Sequence, residues 1–316
     1  MTKKNTLITL FIAFGITLSA QEATKKDSAW KINGFFSLNV SQTTLSDWQG
    51  GGQNNLTIGS LFNLDATWKK GKEMMWTNKL DAQYGLIRQG TVKTFRKSTD
   101  QLFALSKFNK NAFAKNLFYS AQADFRTQFS PGYVYDGETI VGSAKSDFMS
   151  PGYLQLALGI DYKPQPYFSA MIAPVAGKVT FVGRQYLADI GAYGVDKAVY
   201  DASTGALLTP GKKMRSEFGG RVVLKFKKDI YTNVNLDSYL DLFSNYMHHP
   251  GNIDVVFNNL LTFKISKYFT ANVLSQLIYD DDIVIQRDYN KDGVFETNGP
   301  RLQALTTISF GLGYKF

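Results

Sequence analysis

Apolar and polar residues alternate with period two along most of the chain. Over its last stretch one set reads Leu302, Ala304, Thr306, Ile308, Phe310, Leu312, Tyr314 and Phe316, and the other reads Gln303, Leu305, Thr307, Ser309, Gly311, Gly313 and Lys315. Successive side chains of a strand point to opposite faces, so this stretch predicts a strand with one continuous apolar face. Elsewhere Leu154, Leu156, Leu158, Ile160 and Tyr162 alternate with Gln155, Ala157, Gly159 and Asp161. Val234, Leu236, Leu240 and Leu242 alternate with Asn233, Asn235, Asp237 and Asp241. The pattern predicts twelve strands, at 30–40, 55–68, 75–87, 101–108, 115–129, 152–162, 167–182, 214–227, 231–243, 253–265, 269–280 and 302–316. Segments 101–108 and 167–182 alternate least clearly, and Pro174 predicts a break or a bulge in the second.

The connections between these segments alternate in length. Short ones fall at 69–73, 109–113, 163–166, 228–230 and 266–268, and long ones at 41–54, 88–100, 130–151, 183–213, 244–252 and 281–301. A soluble sandwich has no reason to place every long loop at one end. An outer-membrane barrel has: short periplasmic turns, long extracellular loops and an even strand count. The expected fold is therefore all-β, a transmembrane antiparallel up-and-down β-barrel of twelve strands with both termini periplasmic. Lipid is then the solvent for the apolar faces, and closure leaves no unpaired sheet edge.

Two features near the expected periplasmic ends agree with this. Trp30, Trp68, Trp76, Tyr162, Tyr167, Tyr231, Tyr268 and Tyr314 lie where an aromatic girdle belongs. The short turns carry Lys69, Lys70, Lys72, Lys110, Lys163, Lys228 and Lys267, placed to meet anionic head groups. Tyr314 and Phe316, at the end of an alternating strand, also have the form of the signal read by the barrel assembly machinery.

Composition adds a location. Lys3 and Lys4 precede the apolar run "TLITLFIAFGITLSA", and polar residues follow it. That is the layout of a signal peptide over residues 1–20, cleaved after Ala20, although Leu18 is bulkier than usual there. A short periplasmic extension, 21–29, then leads into the barrel at 30–316. The chain has no cysteine, which excludes disulfides, thiol catalysis, zinc–thiolate sites and lipid attachment through an N-terminal Cys. Its net charge is +9, and loss of Lys3 and Lys4 with the signal leaves about +7. An exported barrel of this kind predicts lipid as its solvent and no nucleic-acid partner.

The segment "SQTTLSDWQGGGQNNLTIGSLFNLDATWKKGK", with "WTNKLDAQYGLIRQG" and "RKSTDQL" after it, resembles a known family. The matching residues are Gln42, Leu45, Ser46, Trp48, Gly51, Gly52, Asn78, Tyr84, Gly85, Arg88, Arg96, Lys97 and Asp100, with "LIYDDDI" at 277–283 and the final "YKF". The family is an uncharacterised group of outer-membrane barrels from the Bacteroidota, a domain of unknown function. The resemblance implies barrel and location and brings no activity with it.

Alternation also nominates the interior. Asp65, Lys79, Asp81, Asp124, Arg126, Arg221, Lys225, Asp237 and Asp241 fall on lumen-facing positions. If the 228–230 turn is tight, Arg221 lies opposite Asp237 and pairs with it. Ladders of this kind hold a barrel interior together, and they also tune selectivity when they line a solute path. Eight strands leave a filled interior and sixteen a wide channel, so twelve admit either a narrow pore or a plugged lumen.

Three loop features carry candidate chemistry. Gly50, Gly51 and Gly52 permit a sharp reversal beside Trp48, which either constricts the mouth or packs against other loops. Asp288, Asn290, Asp292 and Glu296 have part of a calcium-loop spacing, but the twelfth position is Gly299. Calcium in loop 281–301, with help from Asp280, Asp281 and Asp282, competes there with a plain Asp/Asn/Gly turn, and no cofactor is required by the fold. The two histidines, His248 and His249, sit at a loop tip with nothing to place a serine nucleophile beside them. No HExxH, GxSxG or phosphate-loop motif occurs. The expected function is an outer-membrane barrel acting as a narrow channel for small solutes. The alternatives are a non-conducting structural or accessory barrel of a surface or secretion assembly and, below both, a lipid hydrolase.

Overall fold

The computed structural model describes residues 30–44, 53–287 and 297–315. Twelve antiparallel strands close into one barrel. They are β1 (Trp30–Thr43), β2 (Asn55–Lys70), β3 (Met74–Gln89), β4 (Arg96–Asn111), β5 (Leu117–Thr127) and β6 (Gly152–Gln165). The other half is β7 (Phe168–Phe181), β8 (Met214–Tyr231), β9 (Val234–Asn245), β10 (Ile253–Lys264), β11 (Phe269–Tyr279) and β12 (Gln303–Lys315). Each strand pairs with its neighbours in sequence, and β12 returns to β1. All twelve predicted strands are present. The expected signal peptide, 1–20, and extension, 21–29, lie outside the described residues.

The barrel is apolar outside, and inside it carries charged and polar side chains together with one buried apolar cluster, Ala157, Met171, Ala173, Ala176, Val223 and Phe243. Ile172, Ile308 and Phe310 are each more than 60% exposed on the outer wall, whereas Arg221, Asp161 and Asn109 are fully buried in the interior. Such an outer surface is stable only against hydrocarbon, and strands of 11 to 18 residues are long enough to cross it at a tilt. The chain therefore spans a membrane. At the short-turn end the register aligns Trp30, Trp68, Trp76 and Phe108 across four adjacent strands. Trp30 and Trp76 touch at 5.5 Å between ring centroids, and Tyr162, Tyr231, Tyr268 and Tyr314 are exposed around the same rim.

Strand β4 begins at Arg96, five residues before the predicted segment. Its polar start does not alternate because it leaves the apolar zone and meets a loop. Lys97 Nζ donates to Asp100 Oδ2 (3.0 Å), Gln128 Oε1 (2.8 Å) and the Ser130 carbonyl (2.7 Å), while Asp100 accepts from the Phe129 and Ser130 amides. Pro174 produces a bulge without ending β7. The register steps from Leu158↔Val175 to Ile160↔Ile172 on one side, and from Gly219↔Ala176 to Arg221↔Ala173 on the other.

The long loops share one end of the barrel, and three of them carry strand pairs; in the loop after Tyr279 the pair is Val284–Arg287 with Thr297–Pro300. Residues 128–151 contain a hairpin, Gly132–Asp136 with Thr139–Ser146. Residues 182–213 contain the short helix α1 (Gln185–Asp189) and the strand pair Val199–Tyr200 with Leu207–Thr209. The loops are clipped together: Tyr186 Oη donates to the Ala144 carbonyl (2.8 Å), Tyr193 Oη donates to the Lys145 carbonyl (2.6 Å), and Arg184 pairs with Asp147. Val182, Leu187, Ala188 and Val195 form a small apolar core beneath them.

Candidate functional site: a braced lumen with a lysine-lined vestibule

A cavity of about 2090 Å³ occupies the half of the bore nearest the short turns. Turn residues Gly71, Lys72, Ala114, Pro166 and Lys267 form its rim, and strand residues of the lower barrel form its wall. Eleven lysines and four aspartates line it. The excess of positive charge in a confined space focuses an attractive field on anions.

Charged side chains cross this vestibule. Lys227 on β8 reaches Asp65 on β2 at 3.1 Å and Asp237 on β9 at 3.0 Å. Lys79 on β3 reaches Asp81 at 3.1 Å and Asp237 at 3.7 Å. Strands β2 and β8 are six apart in a ring of twelve, so these links tie opposite walls. Lys225 has no ion-pair partner among the described residues, and its Nζ lies 5.4 Å from the centre of the Tyr239 ring.

The vestibule ends at a partition. Phe103 on β4 and Tyr239 on β9 meet edge to face, 6.2 Å between centroids. Beyond them is a void of about 10 Å³, the scale of a single water, bordered by Asp124, Arg126, Tyr153, Gln155 and Asp241. Arg221 sits at this level. Its guanidinium donates to Asp124 at 2.7 and 3.1 Å, to Asp241 at 2.8 and 2.7 Å, and to Tyr239 Oη at 3.0 Å. A planar fork satisfied on both edges is the geometry that lets a buried guanidinium remain charged.

A second charged layer stands nearer the long loops. Lys178 on β7 donates to Asp254 Oδ2 (2.6 Å) and Asp280 Oδ2 (2.8 Å) and lies 3.6 Å from Glu217. Arg215 pairs with Glu217 and Asp282 and donates to the Gly194 carbonyl in the 182–213 loop. Asp281 accepts from Asn252 and Tyr279. The three aspartates considered as calcium ligands thus hold protein partners.

Each residue expected in the lumen can now be placed. Asp65, Lys79, Asp81, Lys225 and Asp237 line the vestibule, Asp124, Arg126 and Asp241 border the small void, and Arg221 is buried beside it. The expected pairing of Arg221 with Asp237 is corrected. Strand β8 runs on to Tyr231 and the turn falls at 232–233, so Arg221 registers with Phe243 and Asp237 with Lys227. Arg221 takes Asp241 and Asp124 instead, and Asp237 takes Lys79 and Lys227.

The Lys178 layer was not anticipated. Lys178 follows Pro174 in a segment whose alternation is interrupted, yet it stands on the same face as Thr180, two residues on. A third cluster, Asp161 with Lys107 at 2.7 Å, Lys163 at 3.2 Å and Ser169 at 2.6 Å, was likewise missed as a site. Tyr314 belongs to the aromatic rim, while Phe316 lies outside the described residues. So do Trp48, Gly50, Gly51 and Gly52, and the expected calcium ligands Asp288, Asn290, Asp292 and Glu296. His248 and His249 contact each other at 4.2 Å between ring centroids in the 246–252 loop.

Residues 40–133 match the model of a family described as a protein of unknown function (DUF3078). No curated protein sequence matches the chain. Among solved structures, the chain is similar to the COG4313 outer membrane channel from Pseudomonas putida F1, at 9% identity over 94% of this chain and 98% of that one, with a TM-score of 0.37. It is also similar to the translocator domain of the autotransporter NalP from Neisseria meningitidis, at 9% identity over 91% and 88% of the two chains, with a TM-score of 0.36. Likeness at that level adds nothing to a fold already fixed by the strand ladder. The chain is thus a closed twelve-stranded β-barrel that carries, from late in β1 to just beyond β5, a match to a family of unknown function.

Proposed function

We propose that this protein is an outer-membrane barrel of the Bacteroidota type whose lumen is closed at rest. It admits anionic solutes from the periplasmic side into its lysine-lined vestibule. The observation that carries the reading is the bracing of the bore. Side chains link opposite walls within the vestibule, two rings meet across its end, and two ion-paired layers follow before the long loops. The short turns then face the periplasm, as the signal-like leader and the rim of lysines and aromatics suggest. Outer-membrane lipid and the barrel assembly machinery are the partners this reading requires, and it involves no catalysis and no cofactor.

This favours the non-conducting alternative over a standing pore. A gated narrow channel is the second reading, supported by one observation: among the described residues the partition is made of side chains and not of a folded plug. Single-channel recording in a planar bilayer tests both. Wild-type protein is expected to be silent at low voltage, and the Phe103→Ala, Tyr239→Ala double variant shows discrete steps only if the ring pair, and not the ion-paired layers behind it, closes the bore, as the gated reading requires. Steps from the wild type at low voltage overturn the closed-barrel reading.

A further inference from the structure

The wall is not closed equally all round. Among the described residues, strands β1 and β12 share five partnered pairs, from Phe35↔Lys315 to Asn39↔Gly311. By contrast, β1 pairs with β2 over fourteen residues, and β12 with β11 over ten. Among the described residues, the four pairs that would continue this register, Val40–Thr43 against Thr307–Phe310, are not made, although both stretches are strand. Four missing pairs in a wall surrounded by hydrocarbon are costly, because backbone amides and carbonyls there have no water to pair with.

On the β1 side of the gap the inward residues Ser41 and Thr43 are exposed, as are the outward Val40 and Ile308, while the inward Thr307 and Ser309 of β12 are half-buried. On neighbouring β2 the inward residues Thr57 to Asp65 are half-buried or buried. The vestibule wall extends up to Leu274, whose partner on the free edge of β12 is Thr307. Four leucines, Leu61, Leu260, Leu274 and Leu305, stand on inward positions of β2, β10, β11 and β12, flanking the seam, while Arg221 stands on the opposite wall beside the buried cluster of Ala157, Met171, Ala173, Ala176, Val223 and Phe243.

We propose that the upper β1–β12 seam is a lateral portal between the membrane and the lumen, and that it passes an anionic amphiphile, a charged head on an acyl chain. The apolar strip beside the gap receives the chain, and the lysine excess of the vestibule receives the head. The proposal rests on the membrane-barrel reading and not on whether the bore conducts ions.

The absence of native cysteine makes the test direct. Single-cysteine variants of the full barrel are reconstituted in phosphatidylcholine liposomes containing a phospholipid with a maleimide at the end of its acyl chain. Ile308→Cys faces lipid and reports that the barrel is embedded. Thr307→Cys and Ser41→Cys face the lumen at the gap, and Asn272→Cys faces it behind a fully paired strand. The expected result is labelling of Thr307→Cys and Ser41→Cys more than about fivefold faster than Asn272→Cys, because only the gap exposes inward positions to lipid. Added oleate slows labelling of Thr307→Cys but not of Ile308→Cys, and oleyl alcohol does neither. If Thr307→Cys and Ser41→Cys are as protected as Asn272→Cys while Ile308→Cys reacts, there is no portal and the barrel reading survives. If Ile308→Cys is itself unreactive, the membrane reading fails. Equal slowing by oleate and oleyl alcohol overturns the anionic head.

Discussion

Arg221 on β8 and Asp124 on β5 are joined by two hydrogen bonds, 2.7 and 3.1 Å long, that pass over the two strands lying between them. The same guanidinium holds Asp241 on β9, and none of the three side chains is more than slightly exposed. Removing the cation strands two carboxylates near one another in a dry interior. Arg221→Ala is therefore expected to destabilise the barrel by about 3–5 kcal/mol. Replacing all three charges together, as Arg221→Met, Asp124→Leu and Asp241→Leu, removes the desolvation cost along with the attraction and is expected to leave stability near wild type. Urea midpoints in detergent, followed by heat-modifiable gel mobility, check both. A single variant as stable as wild type contradicts the assignment of Arg221 as the tie.

The bulge at Pro174 makes a second demand, on a neighbouring strand. Gly159 lies at the register step of β6, where an added Cβ would sit 2.1 Å from the Ile172 carbonyl oxygen. That oxygen belongs to backbone and cannot swing aside as a side chain would. Gly159→Ala is expected to cost about 1–3 kcal/mol by overpacking. At Gly177, the nearest atom to a Cβ is the Glu217 carbonyl oxygen at 3.8 Å, ordinary contact, so Gly177→Ala is the matched control. Unfolding midpoints of the two variants should separate clearly.

Period-two alternation was enough to read all twelve barrel strands, because a wall with lipid outside and charge inside writes its face into every second residue. It was not enough where a strand leaves the apolar zone. The start of β4, from Arg96 to Asp100, is polar on both faces since loop residues 128–130 bind it. Alternation also assigned Asp65, Lys79 and Arg221 to the interior but not to their partners. Which strands face each other across a bore depends on strand number and stagger, and neither is local to the residues concerned. The Arg221–Asp237 pairing failed for a narrower reason: the turn after β8 lies at 232–233, which shifts every partner on that hairpin. Lys178 was hidden by Pro174, whose bulge interrupts the pattern without ending the strand.

The charge of the vestibule predicts which solutes it holds. Pyranine, a trisulfonated dye, is expected to bind the reconstituted barrel at low ionic strength and to be released by salt, as screening requires. Lys225 lines the vestibule and has no ion-pair partner among the described residues, so a bound anion would be its counter-charge. Lys225→Gln should weaken binding by about 1 kcal/mol, roughly fivefold. Asp237→Asn removes a counter-charge shared by Lys79 and Lys227 and should tighten it. Fluorescence titration reads both directions. Changes of the same sign in the two variants would contradict an electrostatic origin.

The loop that covers the far end of the bore carries its own acid sensitivity. Asp189, at the end of α1, accepts from Gln185 Nε2 and from the Gly211 amide, both at 2.8 Å, and so ties the helix to the approach to β8. These hydrogen bonds, the one from Gln185 foremost, favour the charged carboxylate and hold its pKa below the ordinary value. A depressed folded-state pKa means that the tie is fully present above the unfolded value of about 3.9 and is lost as pH falls through the lower folded value. The Gly211 amide resonance, followed in detergent-solubilised protein, is expected to titrate with a midpoint below about 3.9. In Asp189→Asn the same resonance should be flat over that range, because the residue that titrates is gone. A wild-type midpoint at or above the ordinary carboxylate value would show that the helix is not held by this carboxylate, and the 182–213 loop would then owe its position to its other ties, the Tyr186 and Tyr193 clips and the Arg184–Asp147 pair among them.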